Sequence, residues 1–278
     1  MQPKIPIQTI HLFAILDEKL IALLKSLSEE EWNKPTIAKL WTVKDIAAHL
    51  LDGNIRTLSF SRDNHVPAPS EALNSYKDLV AYLNKLNADW VAAMKRVSTP
   101  LLVQLLETTG MEYTKYLASL DPFEDAIFSV AWAGENTSKN WFHIAREYTE
   151  KWHHQQQIRE AVSKEAILTK ELFYPAMNTF MRGLPHTYEN VHAENGTALK
   201  ITITTGIGRE WFLVYEEEKW ELRLEYAGDC AAEVVLDPGV AWRLFTKGVS
   251  SEDALQTAII KGNKVLGAHV LNLVAVMA

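Results

Sequence analysis

An all-α four-helix bundle followed by a small α+β domain is the fold class this sequence predicts, and three observations predict it. Long segments with apolar residues every third or fourth position run through the first 163 residues. Segments alternating with period two begin near residue 199. Helical segments then follow the strands, the order of an α+β domain with an antiparallel sheet. The change of character predicts a bundle over 1–164 and an α+β domain over 165–278. A length of 278 residues suits two domains at ~150 residues each.

Each element has its own signal. Ile10, Phe13, Leu16, Leu20, Leu23, Leu24 and Leu27 form one apolar stripe on a long helix. Ser28 to Glu31 has capping-box spacing, and Pro35 ends the short helix it opens. A second box at Thr42 to Asp45 starts a helix expected to reach about Arg62. A loop with two prolines is expected over 65–70. Tyr76 to Val97 reads as a third long helix, with Leu79, Tyr82, Leu83, Leu86, Trp90, Ala93 and Met94 inward. Pro100 to Leu120 reads as a looser helical stretch broken at Gly110, and Asn140 to Val162 as the last long helix. Beyond the boundary, a helix is expected from Glu171 to about Arg182. Strands are expected over 199–204, 211–215, 220–225 and 232–236, then helices over 240–246, 252–259 and 265–277.

Composition excludes several classes. A net charge of −7, with no basic block, argues against binding nucleic acid. The N-terminus lacks the apolar stretch of a signal peptide, and Val265 to Ala278 is shorter than the ~20 apolar residues of a bilayer span. Neither a membrane nor a secretory route is expected. One cysteine, Cys230, excludes an internal disulfide and fits a reducing, cytoplasmic setting. Cys230 has no evident base and reads as structural. The nine tryptophans are spread along the chain as core anchors rather than a stacking platform. Gly206 and Gly208 lack the third glycine of a dinucleotide loop and read as a hairpin turn.

The chemistry concentrates in the segment Arg146 to Arg159. Glu150 and His154 are four apart and so project from one helix face, one turn from each other. A carboxylate and an imidazole at that spacing can share a metal ion. A third ligand from another helix would give a three-ligand site with an open position, as in catalytic zinc. His49, one turn beyond Asp45, is a candidate third ligand, and His153 competes with His154. An ordinary surface Glu–His pair explains the same spacing. A substrate carboxylate would need a cation. Arg56, two turns after His49, is the first candidate, with Arg146 and Arg243 behind it, against surface ion pairs or helix-end contacts for each.

The segment Trp41-Thr42-Val43-Lys44-Asp45-Ile46-Ala47-Ala48-His49-Leu50 resembles the opening of the second helix in the DinB-like family. It is closer still to the N-terminal metal-binding domain of mycothiol-dependent maleylpyruvate isomerases. Leu27 to Trp32 is similar to that family's first loop, and Glu150 to Arg159 to its fourth-helix motif, a Glu-x-x-x-His pair followed by Gln-Ile-Arg. Ala232 to Asp237, Trp242 to Leu244 and Ile260 to Asn263 resemble the sterol-carrier-like domain that often follows. Carried over residue by residue, the resemblance implies His49, Glu150 and His154 as ligands of a divalent metal, zinc or else nickel. His153 becomes a neighbour. It further implies a low-molecular-weight thiol whose thiolate adds to an activated double bond or is transferred to a small electrophile. The thiol stays open between mycothiol, bacillithiol, glutathione and none at all, because only nine of the 28 basic residues are arginine. The expected partner is a small-molecule substrate, acted on by a monomer or homodimer. Two other classes compete: a non-catalytic small-ligand or lipid-binding protein, marked by an apolar cavity in the second domain, and a metal-dependent hydrolase, marked by a general base beside the open metal position.

Overall fold

The computed structural model describes residues 3–68, 74–204 and 206–277. The chain forms two compact units: one holds Gln8–Ile127 and Glu150–Ala166, the other Phe128–Thr149 and Ile167–Val276.

The first unit is helical. After a 3-10 turn at Ile10–Leu12, α1 (Phe13–Lys25) buries Phe13, Leu16, Leu20, Leu23 and Leu24 from the predicted stripe. The Ser28 capping box opens α2 (Glu29–Trp32). Thr42 opens α3 (Val43–Arg56) with a second box: the Asp45 amide donates to the Thr42 hydroxyl, and the Thr42 amide donates to the Asp45 carboxylate. The expected helix does reach Arg62, but its last six residues, Thr57–Arg62, widen into a π-helix. The predicted proline loop is irregular through residue 68, and residues 69 and 70 lie outside the described ones. Ser75 caps α4 (Tyr76–Met94). Then α5 (Thr99–Ser119) runs unbroken through Gly110. The reason for that glycine is space, since a Cβ there would lie 2.8 Å from Asp17 Oδ2. The second half of α6 (Asn140–Ala161) completes the unit. Leu20 and Leu24 of α1, Ile46 and Leu50 of α3, Leu102 and Leu106 of α5, and Ile158 of α6 share one apolar core. The indole of Trp90 ties α4 to α3 by donating to the Ala48 carbonyl at 2.8 Å.

The second unit starts with the first half of α6. It continues with α7 (Lys170–Phe180), a 3-10 turn at Met181–Gly183, and α8 (Leu184–Thr187). The strands are β1 (Ala198–Ile203), β2 (Glu210–Glu216), β3 (Lys219–Arg223), β4 (Ala232–Leu236) and β5 (Ile259–Gly262), in the order β3-β2-β1-β4-β5. Helices α9 (Pro238–Phe245) and α10 (Ser251–Leu255) separate β4 from β5, and α11 (Lys264–Ala268) follows.

In this unit three expectations are corrected. The sheet is mixed rather than antiparallel. The β1–β2–β3 meander brings β3 parallel to β1, and β4 then joins the free edge of β1 in that same direction. The helix expected over 252–259 stops at Leu255, and Ile259 to Gly262 form an edge strand on β4. Two β-branched residues favour that strand, and Gly262 supplies a backbone with φ +72° where a Cβ would meet the Ala231 carbonyl. The expected C-terminal helix is only α11 plus a 3-10 turn at His269–Asn272. From Leu273 the chain is extended, and the Ala275 amide donates to the Phe245 carbonyl at 2.9 Å. Among the described residues, no helix is long and apolar enough to cross a membrane.

Candidate metal centre

Two helices of the first unit bring the predicted trio together. The Thr42–Asp45 box fixes where α3 begins and places His49 one turn further on. Asp45 is committed to that cap, its Oδ2 accepting from the Thr42 amide and hydroxyl at 3.0 and 2.9 Å. Glu150 and His154 project from α6, with His154 Nε2 3.5 Å from Glu150 Oε2. One potential ligand atom from each of His49, Glu150 and His154 lies within 4.8 Å of the others. The two imidazoles meet edge to face, 4.8 Å between centroids. His153 is buried with its ring 4.0 Å from that of His154, but it is outside the trio.

The surroundings prepare both imidazoles for a cation. Burial, with His154 adding to it, holds His49 well below the usual imidazole range, while Glu150 opposes the shift. His49 is therefore neutral at pH 7 and offers a lone pair. Its Nδ1 is enclosed and has no hydrogen-bond partner among the described residues, a vacancy a metal ion would fill. His154 donates Nδ1–H to Gln157 Oε1 at 2.9 Å, so that the neutral ring presents its Nε2 lone pair on the Glu150 side. The Trp41 indole lies 4.8 Å from the His49 ring and 6.2 Å from the His154 ring, shielding one flank. Two imidazoles and one carboxylate suit zinc or nickel and leave coordination positions open. The residues present fit a divalent ion.

Arg56 is one of the groups whose charge bears on His49. Its guanidinium is engaged, at 2.9 Å from Asp52 Oδ2 and donating to Asn87 Oδ1 at 2.9 Å. Burial pushes Asp52 up to about 6 despite that neighbour. The other two predicted cations belong to the sheet-bearing unit and are also engaged. Arg146 donates to Glu147 and to His143 Nδ1. Arg243 donates to the Gly239 carbonyl at 3.1 Å. Sequence reasoning placed Gln157 and Trp41 within the family motifs, Trp41 also as a core anchor, without a part in the site, and gave no role to Asn87. The spacing of Gln157, three residues after His154 on the same helical face, was the available signal for the first; Asn87 shows itself only through tertiary contact.

A family model described as the mycothiol maleylpyruvate isomerase N-terminal domain matches residues 13–159, more than half of the chain. The chain belongs to that family. Both ligand-bearing segments, on α3 and α6, fall inside the matched region. A solved structure of a mycothiol-dependent maleylpyruvate isomerase, in a histidine-to-alanine variant, is similar with a TM-score of 0.54. It is 10% identical, covering 86% of this chain and 88% of its own. The unsubstituted enzyme is similar at a TM-score of 0.52 and 11% identity, covering 84% and 86%. At that identity the likeness establishes the fold shared by family members. An SCP2-type ubiquinone synthesis protein matches 35% of the chain, with a TM-score of 0.25 and 19% identity. No curated protein matches the chain.

Proposed function

We propose that this protein is a divalent-metal-dependent enzyme that uses a low-molecular-weight thiol to isomerise, or to transfer sulfur to, a small electrophile. The observation that carries the reading is the His49–Glu150–His154 trio with its enclosed, unpartnered imidazole nitrogen. Membership in a family named for a mycothiol-dependent isomerase supports the thiol. A divalent ion held there would lower the pKa of a bound thiol or water and polarise a nearby carbonyl. The chain's own residues supply the setting. His49 is kept neutral by burial, and Gln157 fixes the tautomer of His154. Glu150 brings one negative charge, and Trp41 restricts water on one side. Arg56 is the candidate for a substrate carboxylate. To serve it would share its fork between Asp52 and substrate.

In the isomerisation, a thiolate adds to a carbon–carbon double bond conjugated with a carbonyl, and the π electrons move to the carbonyl oxygen. Rotation about the resulting single bond follows. Collapse of the enolate expels the thiolate and restores the double bond in its trans form, so the thiol is not consumed. Such a cofactor must stay reduced, which fits a cytoplasmic enzyme. The same reading divides the chain near 164/165, with the qualification that Phe128–Thr149 of the helical part pack with the sheet-bearing unit.

The test is metal content by mass spectrometry of wild type, His49→Ala and His154→Ala. Turnover of a cis-configured enone acid is then assayed with mycothiol, bacillithiol and glutathione. About one ion per chain, lost in both variants with the activity, is the expected result. Absence of metal after zinc or nickel loading would sink the reading. One observation favours a second reading, a non-catalytic ligand-binding protein. The sheet-bearing unit has an open groove of about 740 Å³ whose lining mixes Leu255, Ile260 and Leu271 with Glu252, Lys264 and His269.

A further inference from the structure

We infer that the sheet-bearing unit holds a second binding site, built around Arg182, for a small monocarboxylate with a flat, unsaturated body. Tyr174, Asn178 and Arg182 follow one another at four-residue spacing and share one face of α7 and the turn after it. Asn178 is fixed by accepting from the Trp211 indole at 2.9 Å. The Tyr174 ring stacks on Trp211, 6.0 Å between centroids at 19°. At the far end, the Arg182 guanidinium lies over the Trp141 ring at 5.6 Å, and Trp141 stacks on Phe142.

Arg182 is singular in what it lacks. Its Nε is enclosed with no hydrogen-bond partner, as are those of Arg146 and Arg159, but those two have partners at their terminal nitrogens, whereas the Arg182 guanidinium makes no hydrogen bond or ion pair with the described residues. Burial holds it below the usual arginine range. Every other arginine that is not fully exposed is engaged. Arg56, Arg146 and Arg223 face carboxylates, and Arg159 and Arg243 donate to backbone carbonyls. A half-buried guanidinium with no acceptor at any of its nitrogens is a donor awaiting one.

The charges nearby define that acceptor. Glu135 and Tyr174 are the groups whose charge bears on Arg182. The Glu135 carboxylate is occupied by the Ser138 hydroxyl, which in turn accepts from the Val130 amide at 2.8 Å. Arg209 donates to the Tyr174 hydroxyl at 3.0 Å and holds that ring in place. With its carboxylate taken by Ser138, Glu135 offsets the Arg182 charge without bonding to the guanidinium, which leaves the fork open to a monoanion. The planar fork of Arg182 matches a carboxylate, and the Trp141 ring favours a planar body attached to it. None of these residues belongs to the metal trio.

The experiment is calorimetric titration of the full chain with benzoate at constant ionic strength. Saturable binding to wild type is expected, weakened by about tenfold or more in Arg182→Gln from the loss of charge-assisted hydrogen bonds. Arg182→Lys, which keeps the charge and loses the fork, is expected between the two, and covers the case in which Arg182→Gln does not fold. Glu135→Gln is expected to tighten binding, and exposed Arg96→Gln to leave it unchanged. Retained binding in His154→Ala separates this site from the metal reading. The inference is overturned by absent saturation in wild type, by Arg182→Gln or Arg182→Lys binding as wild type does, or by inorganic phosphate binding as tightly as benzoate.

Discussion

Replacing Gln157 with leucine tests the metal reading without touching a ligand. Gln157 is 4% exposed, and its side-chain carbonyl accepts the Nδ1–H of His154 at 2.9 Å. Leucine fills a similar volume but accepts nothing, so a donor on a 7% exposed histidine loses its partner. Leaving a buried donor unsatisfied costs about 1–3 kcal/mol. Two readouts share that cost. The metal-free protein should lose roughly 1–3 kcal/mol in urea unfolding, through the orphaned N–H or through a tautomer change that restores it. Zinc affinity, measured by chelator competition, should fall about 10–100-fold, because the Nε2 lone pair is no longer held toward Glu150. Gln157→Glu keeps an acceptor in place, makes it a stronger one, and should bind zinc at least as tightly as wild type. The reasoning is refuted if Gln157→Leu binds zinc within about twofold of wild type while His154→Ala loses it.

Three further outcomes follow from the geometry. Gly110→Ala should destabilise by about 0.5–2 kcal/mol in urea unfolding: alanine adds ~1 kcal/mol of helix propensity, but its Cβ displaces Asp17 from Lys151 and forfeits a charge-assisted bond worth about 1.5–3 kcal/mol. The distances involved are 2.8 Å to Asp17 Oδ2 and 2.7 Å from Asp17 Oδ1 to Lys151 Nζ; a stabilised variant would show that Asp17 swings aside freely. Glu217 and Glu218 hold φ of +51° and +61° in the β2–β3 turn, so Glu217→Asn with Glu218→Gly should raise Tm by about 2–4 °C in calorimetry. Burial, with Arg146 adding to it and Glu147 opposing, lowers His143 from 6.5 to about 4. A lowered histidine gives stability that is complete above its unfolded pKa and is lost as pH falls toward the folded one. From about pH 7.5 to about pH 5 His143 should therefore remove about 2 kcal/mol, an acid slope that His143→Gln lacks in urea unfolding at the two pH values.

Local signals carried much of the fold, and long-range ones little of it. Both capping boxes formed where Ser28 and Thr42 announced them, because a cap is made by residues three apart. Gly110 misled for the opposite reason. Its propensity speaks for a break, whereas its purpose is room for Asp17, 93 positions earlier in a bundle contact. Ile259 read as a helix end, and the strand of 259–262 went unseen, because four residues carry no period that tells strand from helix. Pairing with β4 decides the matter. The direction of β4 was equally out of reach, since β4 beside β1 is a fact of topology rather than of either strand's residues.

The site divides along the same line. Glu150 and His154 were legible as a pair because helix geometry turns a spacing of four into a shared face. Choosing His49 as the third member, and His154 over His153, needed the family motif, because helical spacing is silent on which residue another helix presents. The arginines show the limit most sharply. Arg56, Arg146 and Arg243 were singled out by position relative to His49, Glu150 or a motif, and each is engaged by a carboxylate or a backbone carbonyl. Arg182, singled out by nothing, is the half-buried one with no acceptor. A side chain's chemistry is written in the sequence, but its partners, and so the part of its chemistry left for a ligand, are set by burial and packing across the fold.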